Sequence, residues 1–213
     1  MSAPSWIDTA SPKLDVALFD YGAGNLHSLG KALEGAGARV RVTADWEEAL
    51  ARDALVLPGV GAFGAAAAAL PEDRARVRDA LAAGLPCLGI CLGMQLFFEA
   101  SEESAGDGIG FVPGSVKLLE ARIVPQMGWN DVETSADPIF EGVGPLVAYY
   151  ANSYVCVPDD ERDAIAWSEY EGQRFAAGVR RGHTWGMQFH PEKSSDPGRR
   201  IVANFVAMAR EAT

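Results

Sequence analysis

The stretch Gly89-Ile-Cys-Leu-Gly93 sets a thiol between two glycines, each two positions from Cys91. A reactive residue bracketed in this way fits a sharp strand-to-helix turn, where a Cβ at either flank would collide with neighbouring backbone. The N–H groups of a helix starting there favour a thiolate and a nearby oxyanion. An isolated cysteine is more often a core thiol, and Cys87 and Cys156, lying in apolar runs, read that way. The paired glycines set Cys91 apart. A thiol nucleophile needs a base, and the chain offers His27, His183 and His190. In Gln188-Phe-His-Pro-Glu192 the residue before proline is driven toward an extended conformation, and positions i and i+2 of an extended chain face the same side. Glu192 can therefore accept the second ring N–H of His190, fixing its tautomer and stabilising the imidazolium that forms when Cys91 gives up its proton. Such a set makes and breaks an acyl–sulfur bond. Spacing alone does not bring Cys91 and His190 together.

These residues need elements to carry them. Residues 86–90 form a short apolar run that reads as a buried strand, and 92–99 switch to helical spacing. Residues 16–19, 38–43 and 54–57 read as further strands. They alternate with helical stretches at 26–34, at 45–52 and in an Ala-rich segment, 65–83. This alternation predicts an α/β fold with a doubly wound, mostly parallel central sheet and helices on both faces. Ligands bind such a sheet beyond the carboxyl ends of its strands. Cys91 and the glycine-rich loop 58–64 both fall on that edge. Gly22-Ala-Gly24 follows the first strand, but His27 stands where a dinucleotide fingerprint needs its third glycine, so those glycines serve turning. From Gly106 onward the segments are short and strand-like, at 115–120, 131–134, 146–157, 164–170 and 175–179. They read as a mixed or antiparallel extension of the same sheet. Residues 184–190 form another strand, and a closing helix spans 197–212 with Pro197 at its first position.

The chain as a whole narrows the function classes. Its 213 residues suit one large domain, read as 14–213 after a tail at 1–13. A net charge of −11 argues against nucleic acid or an anionic membrane as partner. No apolar run reaches membrane-spanning length, and the first residues lack the basic start and apolar stretch of a signal peptide. Three cysteines without Cys-x-x-Cys spacing point to neither a disulfide framework nor a zinc site, and to a reducing, cytoplasmic setting. No metal or other cofactor is expected.

Taken together, Gly89-Ile-Cys-Leu-Gly-Met-Gln95 and Gln188-Phe-His-Pro-Glu192 resemble the two signatures of class I (triad) glutamine amidotransferases, whose fold is flavodoxin-like. Asp20-Tyr-Gly-Ala-Gly-Asn-Leu26, Pro58-Gly-Val-Gly-Ala-Phe-Gly64, Pro125-Gln-Met-Gly-Trp-Asn130 and His190-Pro-Glu-Lys-Ser194 narrow the resemblance to the glutaminase subunits of imidazole glycerol phosphate synthases. The matches run from about Val16 to the final helix. The resemblance implies hydrolysis of glutamine to glutamate and ammonia through a thioester on Cys91, with His190 as base and then acid, and Glu192 as its orienter. It implies an oxyanion hole from the N–H of Leu92 and one from Val60 or Gly61. Gly59, Gln95, Ser153 and Tyr154 would hold the substrate, and Asn152 stands where the family more often has His. The implied partner is a separate (β/α)₈-barrel cyclase, joined as a heterodimer and using the ammonia for histidine biosynthesis. Asn25, Trp129 and Lys193 match positions near that interface. Two other readings stay open: a glutaminase serving an anthranilate, GMP or pyridoxal phosphate synthase, and a non-catalytic regulator on the same fold.

Overall fold

The computed structural model describes residues 13–22, 26–59 and 61–213; Asn25, Val60 and nearly all of the expected tail lie outside them. Strand β1 (Asp15–Phe19) divides its side chains between two cores, Val16 and Leu18 on one face, Ala17 and Phe19 on the other. Burial on both faces is what a parallel strand between helical layers requires. α1 (Leu26–Gly35) leads to β2 (Arg39–Thr43) at the sheet edge. α2 (Trp46–Leu50) starts at Asp45, whose carboxylate accepts from the N–H of Glu47 at 2.7 Å. β3 (Ala54–Leu57) is buried throughout.

The Ala-rich segment holds two helices rather than the one expected, α3 (Phe63–Ala68) and α4 (Ala75–Ala82). Pro71 falls between them. It lacks an N–H and disfavours helical geometry at Leu70. β4 (Cys87–Ile90) precedes Cys91, and α5 (Leu92–Gln95) is a single turn, shorter than the expected 92–99. The carbonyls of Leu96, Phe97 and Phe98 accept instead from N–H groups of residues 109–112. Gly108 permits that approach, since a Cβ there would lie 2.1 Å from the Phe98 carbonyl oxygen. With so short a helix, a macrodipole contributes little at Cys91.

The second half supplies β5 (Ala100–Ser101), β6 (Gly114–Leu118), β7 (Gln126–Thr134), β8 (Leu146–Asn152), β9 (Tyr154–Pro158), β10 (Ala164–Tyr170), β11 (Gln173–Arg181) and β12 (Thr184–Met187). The main sheet has nine strands in the order β2-β1-β3-β4-β12-β11-β10-β7-β8. It is parallel from β2 to β12 and antiparallel beyond. The expected extension is therefore present, but not all of it: β5, β6 and β9 form a separate three-stranded sheet. The run 146–157 divides at Ser153 between the two sheets. β12 stops at Met187, short of His190, because the His190 N–H turns to the Tyr149 carbonyl at 2.9 Å. The last helix, α6 (Ser195–Ala212), begins before Pro197, which occupies the first turn, where N–H groups have no intrahelical partner. α1 and α6 cover one face of the main sheet, and α2, α3 and α4 cover the other.

Candidate active site

β4 and β12 run parallel, paired from Thr184 with Cys87 to Met187 with Ile90, so the residues after both strands emerge at one edge. Cys91 follows β4 directly, and its N–H donates to the Met187 carbonyl at 2.6 Å. It adopts φ +48° and ψ −103°, a conformation side-chain-bearing residues rarely enter. The glycine bracket explains how the turn closes. A Cβ on Gly89 would lie 2.6 Å from the Gly93 carbonyl, and one on Gly93 would lie 2.1 Å from the Leu57 carbonyl oxygen.

His190 has the extended backbone expected before Pro191, and its Nδ1 lies 2.8 Å from Glu192 Oε1. Cys91 and His190 meet across Gly59, where a Cβ would lie 3.0 Å from Cys91 Cβ and 3.1 Å from His190 Cε1. Both residues are almost fully buried, Cys91 at 6% exposure and His190 at 2%. Burial alone would lower the imidazole's proton affinity. The hydrogen bonds and negative charge of Cys91 and Glu192 overcome it, and the His190 pKa rises from 6.5 to about 9. Ser194 holds the backbone in place, its Oγ donating to the His190 carbonyl at 2.6 Å and accepting from the Tyr149 N–H at 2.9 Å. The other histidines are elsewhere: His27 on the exposed side of α1, His183 at the amino end of β12.

A cavity of about 250 Å³ opens onto Cys91. Gly59, Gly61, Leu92, Gln95, Ser153, Tyr154, His190 and Lys193 all line it, so most of the residues selected from the sequence converge there. Gly59 cannot carry a side chain, because a Cβ would meet the Ile90 oxygen at 2.7 Å and His190 Cε1 at 3.1 Å. Gln95 and Asn152 both aim their amide nitrogens at the Tyr154 carbonyl, at 3.4 and 3.1 Å. Trp129 lies outside the cavity, 56% exposed and edge-on to Tyr149. Lys193 Nζ sits 5.7 Å from the centre of the same Tyr149 ring. Glu103, which no motif pointed to, also lines the cavity, and its Oε2 accepts from the Phe63 N–H at 2.7 Å. A larger surface hollow of about 950 Å³, bordered by Glu102, Glu120, Arg122 and Glu171, contains neither nucleophile nor base.

Residues 17–209 match the family model for glutamine amidotransferase class-I. The chain belongs to that family. This class-I amidotransferase is 42% identical over 210 residues to the imidazole glycerol phosphate synthase subunit HisH of Natronomonas pharaonis, covering 94% of this chain and 97% of the relative. It is 46% identical over 204 residues to the HisH subunit of Nocardia farcinica, covering 90% and 96%. Among solved structures, a putative GMP synthase protein from Thermoplasma acidophilum aligns with TM-score 0.73 at 21% identity, covering 94% and 96% of the two chains. PurLQS from Thermotoga maritima aligns with TM-score 0.74 at 18% identity, covering 92% and 99%. These two likenesses concern the fold. No helix among the described residues is long and apolar enough to cross a membrane.

Proposed function

We propose that this chain is the glutaminase subunit of an imidazole glycerol phosphate synthase, working in the cytoplasm and delivering ammonia to a separate (β/α)₈-barrel cyclase for histidine biosynthesis. The observation that carries the reading is the line Cys91–His190–Glu192, laid along one edge of the sheet and facing a cavity of glutamine's scale. Cys91 Sγ attacks the glutamine carboxamide carbon, and its proton passes to His190. The tetrahedral oxyanion takes hydrogen bonds from the Leu92 N–H and a peptide N–H of the 59–61 loop; each such donor contributes about 10²–10³ in rate. The C–N bond breaks as His190 protonates the leaving amine, giving ammonia and a thioester. His190 then takes a proton from water, which attacks the thioester and releases glutamate. Glu192, hydrogen-bonded to Nδ1, keeps the imidazole oriented. Gln95, Ser153 and Tyr154 hold the substrate.

The docking side is read from β7 and β8. Their pairing places Met127 and Trp129 on the same face as Val147 and Tyr149, and Met127, Trp129 and Val147 are exposed. An apolar, aromatic patch at a sheet's end suits a protein partner. Lys193, 5.7 Å from the Tyr149 ring, would flank it. The test is glutamate release from glutamine, measured alone and with the cyclase and its ligand. Strong stimulation by this cyclase is expected. Stimulation only by an anthranilate, GMP or pyridoxal phosphate synthase partner would reassign the chain to that enzyme, and no turnover with any of them would make it a regulator.

A further inference from the structure

Gln188, two residues before His190, is fully buried, and its backbone N–H donates to the Ala177 carbonyl at 2.9 Å. Its side-chain Nε2 points at Cys91 Sγ, 3.5 Å away. The other end of the amide, Oε1, has no hydrogen-bond partner among the described residues. Leaving a buried acceptor unpaired costs about 1–3 kcal/mol, so a retained orphan calls for an explanation in the role of its group. We propose that Gln188 is a second hydrogen-bond donor to the nucleophile, its carboxamide N–H stabilising the Cys91 thiolate beside His190. The inference rests on the reading of Cys91 as nucleophile.

Chemistry and geometry agree on this assignment. An N–H···S bond is charge-assisted while sulfur is anionic and weak once it is acylated. The donor therefore favours the thiolate over the thiol. His190 then already carries, when sulfur attacks, the proton that the leaving amine takes. The same segment also holds the turn's backbone, since the Met187 carbonyl takes the Cys91 N–H at 2.6 Å. Successive residues thus fix the main chain and the sulfur of one strained turn.

The test is the pH dependence of Cys91 alkylation by iodoacetamide, mapped by peptide mass spectrometry, a reaction that does not involve glutamine. The titratable groups around the sulfur are His190 with Glu192 behind it, Glu103, Tyr154 and Lys193 along the cavity, and Cys156 within electrostatic reach on β9. All of them remain in Gln188→Met, which has a similar volume and no donor. Its alkylation midpoint should rise by about one pH unit, as expected for losing a bond to a charged group. In a glutaminase assay, kcat should fall roughly tenfold while KM changes little. A midpoint equal to the parent's in a folded Gln188→Met overturns the proposal, whether or not glutamine is turned over. If that variant does not fold, the Gln188 side-chain ¹⁵NH₂ resonances of the unaltered chain decide. They should titrate with the alkylation midpoint and move on Cys91 modification, and resonances insensitive to both overturn it.

Discussion

Cys91 occupies a backbone conformation that costs a side-chain-bearing residue on the order of 1–3 kcal/mol. Glycine escapes that cost. Replacing an Ala by Gly ordinarily destabilises, by about 0.5–1 kcal/mol in regular structure. Here the order should reverse, with Cys91→Gly at least as stable as Cys91→Ala, both lacking glutaminase activity. Urea unfolding of the pair checks it, and the usual order would mean the turn relaxes when sulfur is removed. His190 makes a second measurable statement. Its pKa is raised from 6.5 to about 9, so the folded state holds a proton the unfolded state has lost across that window. The stabilisation is complete below about pH 6.5 and disappears as pH climbs through about 9, on the order of 2–3 kcal/mol in all. Unfolding at pH 6, 7.5 and 9.5 should show the parent losing more stability than His190→Asn; equal losses would mean Cys91 and Glu192 do not hold the imidazole's proton. The turn at Cys91 and the closeness of His190 to Glu192 were legible because each position rests on a local rule: a glycine bracket, a residue before proline, an i to i+2 pair. Glu103 was not, since its place at the cavity comes from the fold and from no spacing.

Among elements, the parallel half of the sheet was readable from continuous apolar strands followed by glycine-rich turns. The rest depended on tertiary choices. Carbonyls after α5 are claimed by residues 109–112, and the long strand-like run at 146–157 changes sheet at Ser153. β7 starts well before the expected residue 131 because Gly128, at φ +121°, disguises its first half as a loop. The proposed mechanism draws a donor from the glycine-rich loop after β3, and just beyond that loop the Glu103 carboxylate holds the Phe63 N–H. Glu103→Gln keeps an oxygen for that N–H and should retain kcat near the parent's. Glu103→Ala should lose about tenfold, with faster amide exchange in residues 61–64. Equal loss in both variants would assign Glu103 to a charge-dependent task in the cavity.

At the level of the molecule, the proposed docking residue Trp129 lies outside the cavity that holds Cys91. Trp129→Ala should weaken association with the cyclase by about 2 kcal/mol or more, while Cys91 alkylation by a small reagent stays unchanged. Normal association, read by titrating the cyclase into the variant, would remove Trp129 from the interface. The two sheets carry a further consequence. β8 ends at Asn152 and β9 begins at Tyr154, so at this crossing one residue, Ser153, leads from the large ladder to the small one, and it lines the cavity. Ladders that share no hydrogen-bonded strand can open as separate cooperative units. The cavity beside Cys91, the proposed substrate pocket, has walls from both sheets. Amides of β5, β6 and β9 should exchange faster than those of β4 and β12, and a glutamine analogue bridging the two walls should slow the small sheet most, making its protection a gauge of pocket occupancy.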